Sequence, residues 1–129
     1  MPALEAVPGK RVLVADDELW LRVLIAEMFT ADGYAVDTAV DGAEALSKVR
    51  QRPYDMIVCD VQMPELDGLG LYRELARERP ELVARFVFVT GSRQDGPTWT
   101  ALKRTGAPCL AKPFTAEELR RVARQILSG

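Results

Sequence analysis

Histidine is missing from all 129 residues. Its absence excludes Ser-His and Cys-His triads, histidine metal sites and any part as a carrier of phosphohistidine. Cysteine is scarce: Cys59 and Cys109 stand far apart, form no CxxC motif and imply no structural zinc. Such sparing use fits a reducing, cytoplasmic setting. Long apolar runs are lacking too. Met1 to Gly9 carry Pro2, Glu5 and Pro8 but no apolar signal core, and no later run is long enough to span a bilayer. Positive charge is not in excess, since 17 Lys+Arg face 19 Asp+Glu for a net charge of -2. A chain without a basic field is not built to hold nucleic acid or an anionic membrane. What is present, 48% hydrophobic and 28% charged residues, suits a packed core and argues against disorder or a disulfide scaffold. The length fits one domain, read here as 10–129 behind an N-terminal tail, 1–9.

Short β-branched or aromatic runs alternate with helical patterns, the signature of βα units around a parallel sheet. Strands are expected at Arg11 to Ala15, Tyr34 to Ala39, Met56 to Cys59, Phe86 to Val89 and Cys109 to Ala111. The first, third and fourth are continuous apolar runs, as in a sheet covered on both faces, whereas Asp37 and Thr38 mark the second as an edge. Helices are expected from Leu19 to Ala31, after Asp41 to before Pro53, from about Gly68 to Glu78, from Pro97 to Thr105, and after Thr115. Leu21, Leu24, Ile25 and Met28 give the first helix its apolar stripe, and Asp32-Gly33 stops it. Thr115 with Glu118 forms a capping box ahead of Leu119, Val122, Ala123 and Ile126 in the last.

The chemistry lies in what closes each buried run. Ala15 gives way to Asp16-Asp17, Cys59 to Asp60, Val89 to Thr90 and Ala111 to Lys112. In a parallel sheet these strand ends share one edge, where open α/β sheets bind ligands. Two carboxylates about 4 to 5 Å apart repel by roughly 3 to 4 kcal/mol at an effective dielectric near 20. Asp16, Asp17 and Asp60 together therefore call for a counterion, and Mg²⁺ with its preference for oxygen ligands and phosphate suits them. Phosphoryl transfer needs an in-line nucleophile and positive charge on the transferring oxygens. Asp60 can attack phosphorus, Asp17 assisted by Asp16 can hold the metal, Lys112 can neutralise one phosphoryl oxygen, and Thr90 can donate to another.

Four motifs now stand in order: Asp16-Asp17-Glu18, D-x-x-M-P-x-x-D-G from Asp60 to Gly68, Thr90-Gly91 and Lys112-Pro113-Phe114. Together they resemble the receiver domain of two-component signalling, over nearly the whole chain. The resemblance implies a flavodoxin-like (βα)5 three-layer sandwich whose five parallel strands run in the order 2-1-3-4-5. It implies that Asp60 is the phosphoacceptor, that Asp16 and Asp17 are the acid pair, and that the backbone carbonyl of Gln62 completes the metal shell. A cis peptide between Lys112 and Pro113 is implied as well. The donor would be a phosphohistidine on a histidine kinase or a histidine phosphotransfer protein. The receiver would catalyse only its own phosphorylation and dephosphorylation, and would answer to a downstream protein or an attached output domain.

The chain departs from the family pattern at Cys109, where many receivers carry an aromatic that moves inward with the threonine. The segment Ala107 to Ala111 is one residue short of the common form and is similar to receivers at the C-termini of hybrid histidine kinases. A phosphorylation-independent adaptor with the same fold is therefore the alternative. An aspartyl phosphatase is disfavoured because Gln62 stands where such enzymes place a second aspartate. A nucleotide-binding flavodoxin-type domain is disfavoured because Asp16-Asp17-Glu18 replaces the Gly-rich loop it would need. No bridge is expected between Cys59 and Cys109, since an intervening strand would hold them about 10 Å apart. Arg120, Arg121 and Arg124 are expected on a wet helix face, and Trp20 at a surface that meets the phosphodonor. Trp99 is left open between partner contact and packing.

Overall fold

A computed structural model describes residues 9–128. The expected tail lies outside the described residues except for Gly9. Strand and helix alternate throughout: β1 (Arg11–Ala15), α1 (Leu19–Ala31), β2 (Ala35–Ala39), α2 (Gly42–Gln51), β3 (Met56–Asp60), α3 (Gly68–Glu78), β4 (Phe86–Thr90), α4 (Pro97–Thr105), β5 (Cys109–Ala111) and α5 (Ala116–Ser128). A 3-10 helix, Pro80–Arg85, joins α3 to β4. The strands form one parallel sheet in the order β2-β1-β3-β4-β5, the flavodoxin-like arrangement expected from the motifs.

Alternation along the central strands sorts their side chains into two cores. Leu13, Ile57, Phe86 and Phe88 face α2, α3 and α4, where Val49, Leu71, Leu75 and Leu102 meet them. Val12, Val14, Val58 and Val87 face the other way, onto Leu21, Ile25 and Phe29 of α1 and Leu119, Ala123 and Leu127 of α5. The result is three layers, with the sheet in the middle.

Local signals set the helix ends. The Asp41 carboxylate accepts from the Glu44 N–H at 2.8 Å while Glu44 Oε1 reaches back to the Val40 N–H at 2.7 Å. Thr115 and Glu118 exchange the expected capping-box bonds at 2.8 and 3.0 Å. Asp67 caps α3 through Gly70 N–H at 2.7 Å, a signal not read from the sequence. Gly33 and Gly106, both at positive φ, end α1 and α4.

Several expected details shift. Asp60 and Thr90 belong to their strands instead of following them, because the ladder continues through Asp60 with Val89 and Thr90 with Ala111. Tyr34 drops out of β2, since its N–H closes the end of α1 on the Phe29 carbonyl. The inward face of α1 is Leu21, Ile25 and Phe29, whereas Leu24 is exposed. Arg120 is not simply solvated: its guanidinium grips Asp32 through two bonds, 2.8 and 3.1 Å, and ties α5 to the end of α1.

Gly42 opens α2 against the loop after β3. A Cβ there would lie 1.8 Å from the Leu66 carbonyl oxygen, which is backbone and cannot swing aside. Gly42→Ala is therefore expected to cost about 1 to 3 kcal/mol, read as a lower urea midpoint at unchanged slope. A wild-type midpoint would mean that the loop gives way freely.

Candidate functional site

Each strand of the central trio delivers a polar group to the same edge. Asp16 follows β1, with its N–H bound to the Ala39 carbonyl at 3.1 Å, so the residue is still held by the sheet. Asp60 is the last residue of β3 and Thr90 the last of β4. Lys112 follows β5, its N–H bound to the Thr90 carbonyl at 2.8 Å, and its peptide bond to Pro113 is cis as expected. Asp16, Asp60 and Thr90 are 1%, 4% and 0% exposed. Polar groups buried this deeply need partners.

Lys112 is the partner common to the acids. Its Nζ lies 2.9 Å from Glu18 Oε1, 3.3 Å from Asp16 Oδ2 and 3.4 Å from Asp60 Oδ2. Asp16 Oδ1 also accepts from the Glu18 N–H at 2.8 Å, a bond to the helix entrance that gives α1 no side-chain cap. Asp60 Oδ1 accepts only a long bond, 3.3 Å, from the Gln62 N–H. Burial first, and the neighbouring Asp16 charge second, raise the Asp60 carboxyl to about 6 against the opposing pull of Lys112. Burial also raises Asp16, where the Glu18 N–H and Lys112 pull the other way. Burial works against the charge of Lys112, yet Glu18, Asp16 and Asp60 outweigh it and hold the ammonium above its ordinary value.

Oxygen atoms of Asp16, Asp17 and Asp60 lie within 4.8 Å of one another, with Asp17 exposed to solvent. A donor set made only of hard carboxylate oxygens, two buried and one open to water, is of the kind that holds a divalent cation such as Mg²⁺. The expected acid cluster is thus brought together. Its oxygen-rich character also removes any soft-metal reading.

Thr90, at the end of β4, lies between the strands that lead to Asp60 and Lys112. Its Oγ1 accepts from the Ser92 N–H at 3.1 Å, and Ser92 Oγ accepts from the Gln62 side-chain amide at 2.9 Å. Ser92 and Gln62 thereby join the loops that follow β4 and β3. Cys109 stands beside Phe88, which itself stands beside Cys59. Both cysteines are free, and Cys59 is fully buried with its thiol raised well above the ordinary value by burial. Trp99 is 7% exposed, so it packs within the fold and is not a surface anchor. Trp20 is the reverse, 65% exposed at the mouth of a groove of about 810 Å³ between α1 and α5, lined by Leu24, Met28, Phe114 and Leu119.

The family model described as "Response regulator receiver domain" matches residues 12–124. The chain belongs to the response regulator receiver family. It is 33% identical over 118 residues to the probable transcriptional regulator ycf27 of Cyanophora paradoxa, covering 92% of this chain and 48% of that protein. It is 35% identical over 109 residues to the sensor protein EvgS of Escherichia coli K12, covering 84% of this chain and 9% of that protein. Among solved structures, the receiver domain of the Francisella response regulator 1452 superposes with a TM-score of 0.80 at 30% identity, covering 93% of this chain and 98% of that one. This receiver therefore spans about half of one curated relative and less than a tenth of the other. Among its described residues no helix is long and apolar enough to cross a membrane.

Proposed function

We propose that this receiver takes a phosphoryl group from a phosphohistidine onto Asp60, with Mg²⁺ held by Asp16, Asp17, Asp60 and the Gln62 carbonyl. The observation that carries the reading is the meeting of a buried carboxylate, a paired ammonium and an acid cluster at one sheet edge. An Asp60 oxygen attacks phosphorus, the bond from phosphorus to the donor's imidazole nitrogen breaks, and that nitrogen keeps the electron pair. Bound Mg²⁺ would supply charge neutralisation on the phosphoryl oxygens. Lys112 supplies the remaining positive charge, and Thr90, whose Oγ1 already accepts from Ser92, has its own proton left to donate. The acyl phosphate adds charge to a preformed pocket and biases a protein-binding surface toward a downstream protein or an attached output domain.

Trp20 and the apolar groove beside it give the phosphodonor, a histidine kinase or phosphotransfer protein, its docking surface close to Lys112 and Glu18. A cytoplasmic setting agrees with this role and with two free cysteines. The adaptor reading is kept because Cys109 replaces the aromatic whose movement usually accompanies phosphorylation.

Incubation with acetyl phosphate tests the reading, since a small donor removes the need for the kinase. Intact mass spectrometry is expected to show one added phosphoryl group with Mg²⁺ and at least about a hundredfold slower labelling in chelator. Labelling at equal rates without a divalent cation would remove the metal from the account. No labelling at all, with partner binding intact, would favour the adaptor.

A further inference from the structure

Between β4 and α4 the chain turns through Gly91 to Gly96, and the bonds that reach out of this turn converge on one residue. The Ser92 N–H donates to Thr90 Oγ1 at 3.1 Å, Ser92 Oγ accepts from Gln62 at 2.9 Å, and the Ser92 carbonyl accepts from the indole N–H of Trp99 at 3.0 Å. The other bonds of the turn are internal or run to the first residues of α4: Arg93 pairs with Asp95, the Gly96 N–H meets the Arg93 carbonyl, and the Gly96 carbonyl accepts from the Thr100 N–H and hydroxyl. Gly96 gives α4 no side-chain cap and the Thr100 hydroxyl reaches only the Gly96 carbonyl, at 3.3 Å, so the indole bond is the side-chain tie between this helix and Ser92.

We infer that Trp99 is a positioning residue for Thr90, acting through Ser92, and that it carries the state of the site to α4. This rests on Asp60 being the phosphoacceptor. A threonine hydroxyl has one proton and can accept as well as donate. With its oxygen engaged by the Ser92 N–H, its proton is left for an acceptor other than Ser92, such as a phosphoryl oxygen on Asp60. That engagement is only as firm as Ser92 is still, and the Ser92 carbonyl is held by a buried ring that cannot move without repacking. When a phosphoryl oxygen draws Thr90 inward, Ser92 follows through its N–H, and the indole on α4 follows Ser92 through the carbonyl.

The same chain of contacts explains how a receiver without an aromatic at position 109 can signal. The Cys109 thiol is occupied locally, on the Ala107 carbonyl at 3.3 Å, and offers no ring to swing. Trp99 supplies the large side chain, from α4 in place of β5.

Only two tryptophans are present, so Trp20→Phe leaves Trp99 as the sole indole. In that background, Mg²⁺ with acetyl phosphate, or with beryllofluoride as a phosphoryl mimic, is expected to change the emission of Trp99. The change should be absent when Asp60→Asn is added. Trp99→Phe, which keeps an aromatic ring and deletes the N–H, is expected to slow labelling by acetyl phosphate roughly three- to tenfold, the scale of one neutral hydrogen bond. Its dependence on donor concentration should be unchanged, because the effect lies in orientation and not in donor binding. Phosphorylated Trp20→Phe protein with unaltered emission would overturn the inference and leave Asp60 as acceptor, as would a folded Trp99→Phe protein that labels at the wild-type rate. Wild-type protein that takes no label would overturn the acceptor assignment itself, and the role of Trp99 with it.

Discussion

Asp60→Asn is expected to take no phosphoryl group from acetyl phosphate where the wild type is labelled, and to be the more stable protein above pH 7. An amide oxygen at this position has neither the negative charge nor the free lone-pair density that attack on phosphorus requires. The stability gain follows from burial. Asp60 is 4% exposed and its carboxyl is raised from 3.8 to about 6. Between those two values the folded state holds a proton that the unfolded state has released, so wild-type stability falls as pH rises from about 4 to about 6. The penalty is complete above that window and amounts to at most about 3 kcal/mol. That figure already includes the pull of Lys112, and because an amide only approximates the protonated acid the expected net gain for the variant is about 1 to 3 kcal/mol at neutral pH without metal. Urea denaturation in chelator at pH 4.5 and pH 7.5 reads both effects, with the gain about threefold larger at the higher pH. Retained labelling, or equal stability at both pH values, would contradict the account of this carboxylate.

How far the sequence foretells this site depends on whether a feature is local or made by tertiary contact. The polar closures of the apolar runs were legible because a buried strand reads as a continuous apolar string. Asp16, Asp60, Thr90 and Lys112 then fell at one edge by the geometry of parallel sheets. Strand order was not legible from periodicity and came through the four motifs. Glu18 was counted within a motif, but its place as the nearest acid to Lys112 depends on a lysine 94 positions away. The bond from Trp99 to Ser92 was invisible for a related reason: a tryptophan in a short helix reads alike whether it faces a partner or a neighbouring loop. Leu24 belongs to the apolar stripe read from the sequence yet is exposed, because α1 is apolar on several faces and its sequence does not single out the face that meets the sheet.

Lys112→Met carries the second large effect, because it removes the one cation shared by Asp16, Glu18 and Asp60. Two of those acids are buried, and a buried carboxylate stripped of its counterion is costly. The variant is expected to lose about 2 to 4 kcal/mol at pH 8 without metal. At pH 5 the loss should be much smaller. Without the ammonium the Asp60 carboxyl rises further, so the folded state keeps its proton over a wider range and the added penalty appears only as pH climbs through that range. The lysine itself, lifted above its ordinary value, stays charged across the whole window and contributes no slope of its own. Saturating Mg²⁺ should return most of the lost stability, since a divalent charge among Asp16, Asp17 and Asp60 substitutes for the ammonium. It should not return phosphorylation, which is expected to fall by about a hundredfold or more, the scale seen when one preorganised donor to a developing charge is removed. That separation is what distinguishes a lysine acting on the phosphoryl group from one that merely neutralises the pocket. Recovery of labelling together with stability would assign Lys112 the second role alone.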